Sequence, residues 1–259
     1  MNWNISLKAA IIIPARLASS RLPQKLLLAD TGQTLIEHTY RAAEKCSLAE
    51  KIIVAADSDE IVAAVTAFGG NVVMTSPDHQ SGSDRVAEVA AQIDSEIVIN
   101  LQGDEPELGA SAIDLLIERL SRDESLDVAT LACPIRNSTA LGDPSCVKVV
   151  IDNFGRAMFF SRSPIPAVRD PKTIETWFEA SSTSKPLFLQ HIGIYGFRKS
   201  RLLELSSLQP SPYENIESLE QLRFLSNGWK IGVEIVKLRA QGIDTLEDYA
   251  AFVKRWQNR

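Results

Sequence analysis

Cysteine is scarce in this sequence. Its three thiols, Cys46, Cys133 and Cys146, include no CxxC pair. An odd number of cysteines without that spacing excludes a disulfide framework and reads as reduced thiols of a cytoplasmic protein. Histidine is equally sparse, and His38, His79 and His191 lie too far apart for zinc-ligand spacing. With only 13 glycines and 12 prolines, collagen-like and low-complexity readings fail. No apolar run approaches the ~20 residues of a membrane span, so membrane insertion is not expected. The opening MNWNISLKAAIIIPAR has one lysine and a short apolar run ending in Pro-Ala-Arg, unlike a secretory signal. Basic residues are the minority, 27 against 33 acidic, for a net charge of −6. That balance argues against a nucleic-acid partner, whose binder shows a basic face. A few basic side chains can still gather around a small phosphorylated ligand. Walker A, GxGxxG and GxSxG motifs are all missing.

What is present is ordinary globular composition, 45% apolar and 23% charged, which excludes a mainly disordered chain. A length of 259 residues fits one large α/β domain, alone or with a smaller partner. Ala9–Ile13, Lys51–Ala55, Asn71–Met74 and Glu96–Leu101 read as strands. Helical spacing over Thr34–Cys46, Asp57–Phe68 and Ser83–Gln92 separates them. Strand–helix alternation implies a parallel sheet with ligands at the carboxyl ends of its strands. After about Leu131 the pattern changes. Cys146–Ile151 and Ala157–Phe160 resemble antiparallel strands, and the Pro- and Ser-rich stretch from Pro164 to Ser184 reads as irregular. His191–Phe197 returns to strand, followed by helix over Lys199–Ser206, helix over Glu217–Ser226 and a strand at Val233–Val236. A final helix spans Thr245–Trp256, with an acidic capping signal at Thr245 and Asp248. The expected division is residues 1–131 and 191–259 as a nucleotide-binding α/β domain, with 132–190 as a smaller β-rich insertion.

Three loops at strand ends carry chemistry-bearing residues. The first, Pro14 to Lys25, packs Arg16, Arg21 and Lys25 with two serines into a short turn. It reads either as a phosphate cradle or as a solvated basic loop. The second, Thr75 to Arg85, is dense in groups that read a base or a sugar. The competing reading is a polar loop with Ser83 as a helix cap, and His79 taken alone reads as structural. The third, Asn100 to Pro106, brings Gln102, Asp104 and Glu105. A carboxylate opposite a phosphate loop suits Mg2+, which takes one or two carboxylates and completes its shell with water and phosphates. Asp244, in Gln241-Gly242-Ile243-Asp244-Thr245, is either the partner carboxylate or a turn residue before the last helix.

Seven segments then become specific together. IIIPARLASSRLPQK, TSPDHQSGSDRVAE, INLQGDEP, FFSRSPIP, HIGIYGFR, PSPYENIESLEQLRFLSNG and GIDTLEDY occur in this order. Together they resemble the 3-deoxy-manno-octulosonate cytidylyltransferases, the CMP-Kdo synthetases, from about Ala9 to Trp256. The resemblance implies a Rossmann-like nucleotidyltransferase fold: a mostly parallel central sheet with helices on both faces. It adds a smaller antiparallel β-rich portion that makes a homodimer and carries the sugar side. It also implies Mg2+-dependent conversion of CTP and Kdo into CMP-Kdo and pyrophosphate, for lipopolysaccharide biosynthesis.

By the same resemblance, Arg16 and Lys25 take the triphosphate, while Asp104 and Asp244 hold the metal. Pro14, Ala15, Ser76, Gln80 and Arg85 join Arg16, Lys25 and Asp104 on the nucleotide. Arg21, Gln102, Arg162, His191, Tyr195, Glu214, Glu217 and Gln221 fall on the sugar side. The chain departs from the pattern at Gln24 and Leu26, where the family commonly has Gly and Pro. It departs again at Gly196-Phe197 in place of Ala-Tyr and at Leu246 in place of Pro. None of these removes a charged group the chemistry needs. They leave room for 8-amino-Kdo or another 2-keto sugar acid as acceptor, and a non-catalytic nucleotide-binding protein is the alternative from another class.

Overall fold

The computed structural model describes residues 7–19, 21–79, 81–183, 186–237 and 242–258. Two compact units emerge: Met1–Ser121 with Gly196–Ser206 and Ala240–Arg259, and Arg122–Tyr195 with Ser207–Arg239. This differs from the expected split, because 122–131, 191–195 and 207–239 cluster with the second unit.

The first unit opens with β1 (Ala9–Ala15), α1 (Leu35–Ala43), β2 (Lys51–Ala56), α2 (Asp59–Ala67) and β3 (Val72–Met74). It continues through α3 (Gly82–Ala91), β4 (Ile97–Asn100) and α4 (Ala110–Arg122). Every residue of β1 is buried, as an uninterrupted apolar run requires of a strand covered on both faces. β1 lies parallel between β2 and β4, with Ile11 opposite both Ile52 and Ile99, and β3 pairs outside β2. Side-chain caps fix where the helices start. Thr34 accepts from the Glu37 amide and Ser58 from the Ile61 amide. Helix α3 is capped by Ser81 in a capping box with Asp84, not by Ser83, which is the buried second residue of the helix. Helix α4 was not expected. Its Ile113, Leu116, Ile117 and Leu120 recur at helical spacing and are fully buried.

The second unit contains β5 (Val128–Pro134), α5 (Ser138–Gly142), β6 (Lys148–Ile151), β7 (Ala157–Ser161), α6 (Ile174–Thr183) and most of β8 (Leu189–Arg198). Strand β6 pairs antiparallel with both β7 and β8. Helix α6 replaces the irregular segment expected there. Its Ile174 and Phe178 pack on a small core of Ile135, Leu141, Cys146 and Phe188, so local composition was overridden by apolar contact.

The chain continues with α7 (Lys199–Glu204) in the first unit. Then come α8 (Pro212–Glu217), α9 (Gln221–Ser226) and β9 (Ile231–Ile235) in the second, and α10 (Leu246–Gln257) back in the first. β9 pairs parallel with β5, which is why 207–239 belongs with the second unit. The single helix expected over Glu217–Ser226 is broken, because Ser218 adopts a left-handed φ of 51°.

Two of the departures noted above have a physical setting. A Cβ added at Gly196 would sit 3.0 Å from Ile99 and 3.3 Å from Leu120, so this core is packed for glycine. Leu246 is an exposed first residue of α10, the position where proline costs a helix nothing.

Candidate active site

In the first unit the loop after β1, the loop after β4 and the approach to α10 meet around one ammonium group. Lys25 begins a short 3-10 turn directly after Gln24, which holds a left-handed φ of 51°. That conformation aims Lys25 at the loop after β4. Its Nζ donates to an Asp104 carboxylate oxygen, to the Ile243 carbonyl at 3.0 Å and to Asp244 Oδ1 at 3.2 Å. Arg21 reaches the same Asp244 oxygen at 3.0 Å. The Ile243 amide in turn donates to the Asp104 carbonyl at 2.9 Å, stitching the approach to α10 onto the β4 loop. Room is short at that seam: a Cβ at Gly242 would lie 3.1 Å from Glu105 Oε1, so the Glu105 side chain would have to give. The Thr245–Asp248 capping box then fixes Asp244 at the helix entrance.

A cavity of about 270 Å³ opens over this group, lined among others by Pro14, Arg16, Arg21, Lys25, Gln102, Asp104 and Asp244. Ala15 is the buried last residue of β1. Lys25 is mostly covered, at 13% exposed, whereas the carboxylates keep open faces at 24% for Asp104 and 46% for Asp244. Among the described residues no cluster of three or more His, Cys, Asp or Glu could hold a metal by protein ligands alone. Two open, oxygen-only side chains beside three cations are the donor set of an ion that takes its remaining ligands from water and phosphate, and so fit Mg2+.

The loop after β3 joins this site through Arg16, whose Nη2 donates to the His79 carbonyl at 2.6 Å. Ser76 turns its hydroxyl to the Asp78 amide, 3.2 Å away. Gln80 lies outside the described residues. Arg85 is placed differently from the expected nucleotide contact. It is wholly buried, with Nη1 donating to the Thr75 hydroxyl and to the Ser76 carbonyl at 3.1 Å, so it has no surface of its own to offer a ligand.

A cytidylyltransferase family model matches residues 10–232. A 3-deoxy-manno-octulosonate cytidylyltransferase of Rhodopirellula baltica is 45% identical over 98% of this chain and 100% of its own length. One of Geotalea daltonii is 43% identical over 98% and 100%. The solved structure of a CMP:2-keto-3-deoxy-manno-octonic acid synthetase complexed with CTP superposes with a TM-score of 0.89 at 38% identity, covering 97% of this chain and 99% of that one. The chain belongs to the 3-deoxy-manno-octulosonate cytidylyltransferase family. It is therefore a nucleotidyltransferase with that family's α/β fold. A cytidylyltransferase of Leptospira borgpetersenii, 18% identical with a TM-score of 0.63, shares the fold.

In this cytidylyltransferase, two of the eight expected sugar-side residues, Arg21 and Gln102, line the Lys25 cavity. The other six lie in the second unit. Glu217 accepts from the Ser161 hydroxyl at 2.6 Å and from the Arg162 amide at 2.8 Å, and Arg162 Nε donates back to the Glu217 carbonyl at 2.6 Å. Glu214 holds Arg223 through both carboxylate oxygens, at 2.6 and 2.8 Å. His191, Tyr195 and Gln221 are buried. The His191 ring lies 2.9 Å from the Thr130 hydroxyl and 5.5 Å, centre to centre, from Tyr195, whose phenol burial pushes well above its ordinary pKa.

The sequence reading passed over several groups. Lys148 is fully buried, its ammonium donating to the carbonyls of Asp143, Cys146 and Arg162. The third partner of Lys25 is a main-chain carbonyl, for which no side-chain signal exists. Asp57 and Glu88 were also passed over. Asp57 was legible as a charge at the carboxyl end of β2, and Glu88 as the residue one turn beyond Arg85.

Proposed function

We propose that this chain transfers CMP from CTP to the anomeric 2-hydroxyl of 3-deoxy-D-manno-octulosonate, releasing pyrophosphate and supplying CMP-Kdo for lipopolysaccharide assembly in the cytoplasm. The observation that carries this reading is the meeting of Asp104 and Asp244 on the Lys25 ammonium, beside Arg16 and Arg21 at the carboxyl end of a parallel sheet.

The chemistry is an in-line displacement. The 2-hydroxyl of the sugar gives up its proton to solvent and its oxygen forms a bond to the α-phosphorus while the bond to the bridging oxygen of the leaving pyrophosphate breaks. Two anions must approach each other, a sugar carboxylate and a triphosphate. Arg16 and Lys25 neutralise charge gathering on the leaving group, an electrostatic contribution that is preorganised because both cations are already held in place. Asp104 and Asp244 hold Mg2+, which when bound screens the phosphates and lowers the pKa of the attacking hydroxyl. Ser76 and the loop after β3 take the cytidine. The sugar-side residues are Arg21 and Gln102 in the first unit and Arg162, His191, Tyr195, Glu214, Glu217 and Gln221 in the second.

The test is pyrophosphate release across CTP, UTP and TTP with Kdo, 8-amino-Kdo and sialic acid. CTP with Kdo is expected to be fastest. A faster rate with 8-amino-Kdo overturns the sugar assignment, and CTP binding without release for any sugar acid overturns catalysis itself.

The same reading makes the chain a homodimer. The second unit exposes Met158, Phe159, Tyr213 and Ile216, an apolar group unusual for a free surface, and Phe159 and Tyr213 meet edge to face at 6.4 Å. Sedimentation is expected to give twice the 28.5 kDa chain mass, and Ile216→Asp to halve it. A wild-type monomer at micromolar concentration removes the dimer from the reading.

A further inference from the structure

Four charged side chains alternate in sign and tie the loop after β1 to the loop after β3. Asp57 follows β2, and its Oδ1 accepts from the Leu17 amide at 2.9 Å while its Oδ2 faces Arg85 Nη2 at 3.6 Å. Arg85 passes the connection to the Thr75 hydroxyl and the Ser76 carbonyl. Thr75 is anchored in turn, its hydroxyl donating to the Ala56 carbonyl at 2.7 Å. One turn along α3, Glu88 Oε2 accepts from the Ser76 amide at 3.1 Å and contacts the His79 ring at 2.5 Å. Arg16 closes the circuit on the His79 carbonyl. Arg16 and Arg85 repel each other, and Asp57 and Glu88 each oppose that repulsion. Asp57 is largely covered, at 14% exposed, and Arg85 has no exposure at all. A wholly buried guanidinium is costly to keep unless its charge is answered, and Asp57 is the carboxylate that faces it.

We propose that Asp57 is a positioning residue for the nucleotide. It fixes the main chain at Leu17 against Arg85 and thereby sets where the neighbouring Arg16 guanidinium stands. Asp57 touches no substrate; it acts through Arg16. This rests on the reading of Arg16 as a triphosphate contact. Small errors in placing such a group are expensive, since about 1 Å of misplacement costs on the order of 10²-fold in rate.

The test is a double-mutant cycle between Asp57→Asn and Arg16→Ala, read as KM for CTP, KM for Kdo and kcat, with thermal melts of every variant. Asparagine keeps an acceptor for the Leu17 amide and removes the charge facing Arg85. Asp57→Asn is expected to raise the KM for CTP about tenfold with an unchanged KM for Kdo. In the Arg16→Ala background the same change should move it less than about threefold, because coupled residues are not additive. Equal effects in both backgrounds, or an unchanged KM for CTP in folded Asp57→Asn, overturn the proposal. Should Asp57→Asn not fold, Glu88→Gln tests the same coupling from the other loop, with a side chain one-third exposed. The same non-additivity with Arg16 supports the coupling, and strict additivity overturns it. A wild-type enzyme that releases no pyrophosphate from CTP and Kdo would instead sink the functional reading, and does so before any variant is compared.

Discussion

Asp104→Asn is expected to fold as the wild type does and to release pyrophosphate at least about 10²–10³-fold more slowly, the usual loss when one preorganised charge is removed from a transition state. The substitution is nearly isosteric. It keeps an oxygen that can accept from Lys25, and Lys25 keeps both the Ile243 carbonyl and Asp244. The Ile243 amide still finds the Asp104 main-chain carbonyl, so the seam between the β4 loop and α10 survives. What disappears is one of the two carboxylates that line the cavity among the described residues, and with it the negative charge that attracts a divalent cation to the phosphates. The loss should therefore appear in kcat and in the Mg2+ concentration needed for half-maximal rate, with the melting temperature within a few degrees of wild type. Wild-type turnover by Asp104→Asn with Mg2+ present removes Asp104 from the chemistry.

Lys25→Ala should produce a loss of similar size by a different route. Both carboxylates share the ammonium, which is mostly buried. Without it Asp104 and Asp244 face each other with Arg21 on the Asp244 side and Arg16 elsewhere in the cavity wall, and the approaching triphosphate meets a less compensated negative pair. KM for CTP should rise and kcat fall together, lowering kcat/KM by about 10²–10³. Lys25→Arg should recover part of this. It restores the charge, yet a planar fork cannot reproduce three bonds made by one compact ammonium. Unchanged CTP kinetics in Lys25→Ala would take Lys25 out of the site.

The sheet was legible where apolar runs were continuous. AAIII and EIVINL mark buried parallel strands because no half of either segment faces water. Helix α10 was legible through its capping residues, and α3 through its helical spacing, although its cap is Ser81 and not the expected Ser83. Legibility failed where contact outweighed composition. Helix α6 sits among prolines and serines and is held by Ile174 and Phe178 against Phe188 and its neighbours. The break at Ser218 leaves the apolar spacing of 217–226 intact, so periodicity alone reads one helix where there are two. In the site, the residue types of the three loops were visible, as was their common sheet edge. That Asp244 would share one ammonium with Asp104 was not, because they meet through Lys25, 219 residues from Asp244 along the chain. The burial of Arg85 was invisible for the opposite reason: an arginine ending a polar loop looks exposed until the helix beneath it is in place.

The left-handed backbone at Gln24 has a consequence for which chains can occupy this fold. A side chain there presses its Cβ toward the following carbonyl, so glycine relaxes the position, asparagine tolerates it and valine or isoleucine is shut out. Variation next to Lys25 is thereby filtered by torsion angles before any ligand is considered. The identity of residue 24 is a record of main-chain shape, and two homologues that differ there need not differ in what they bind.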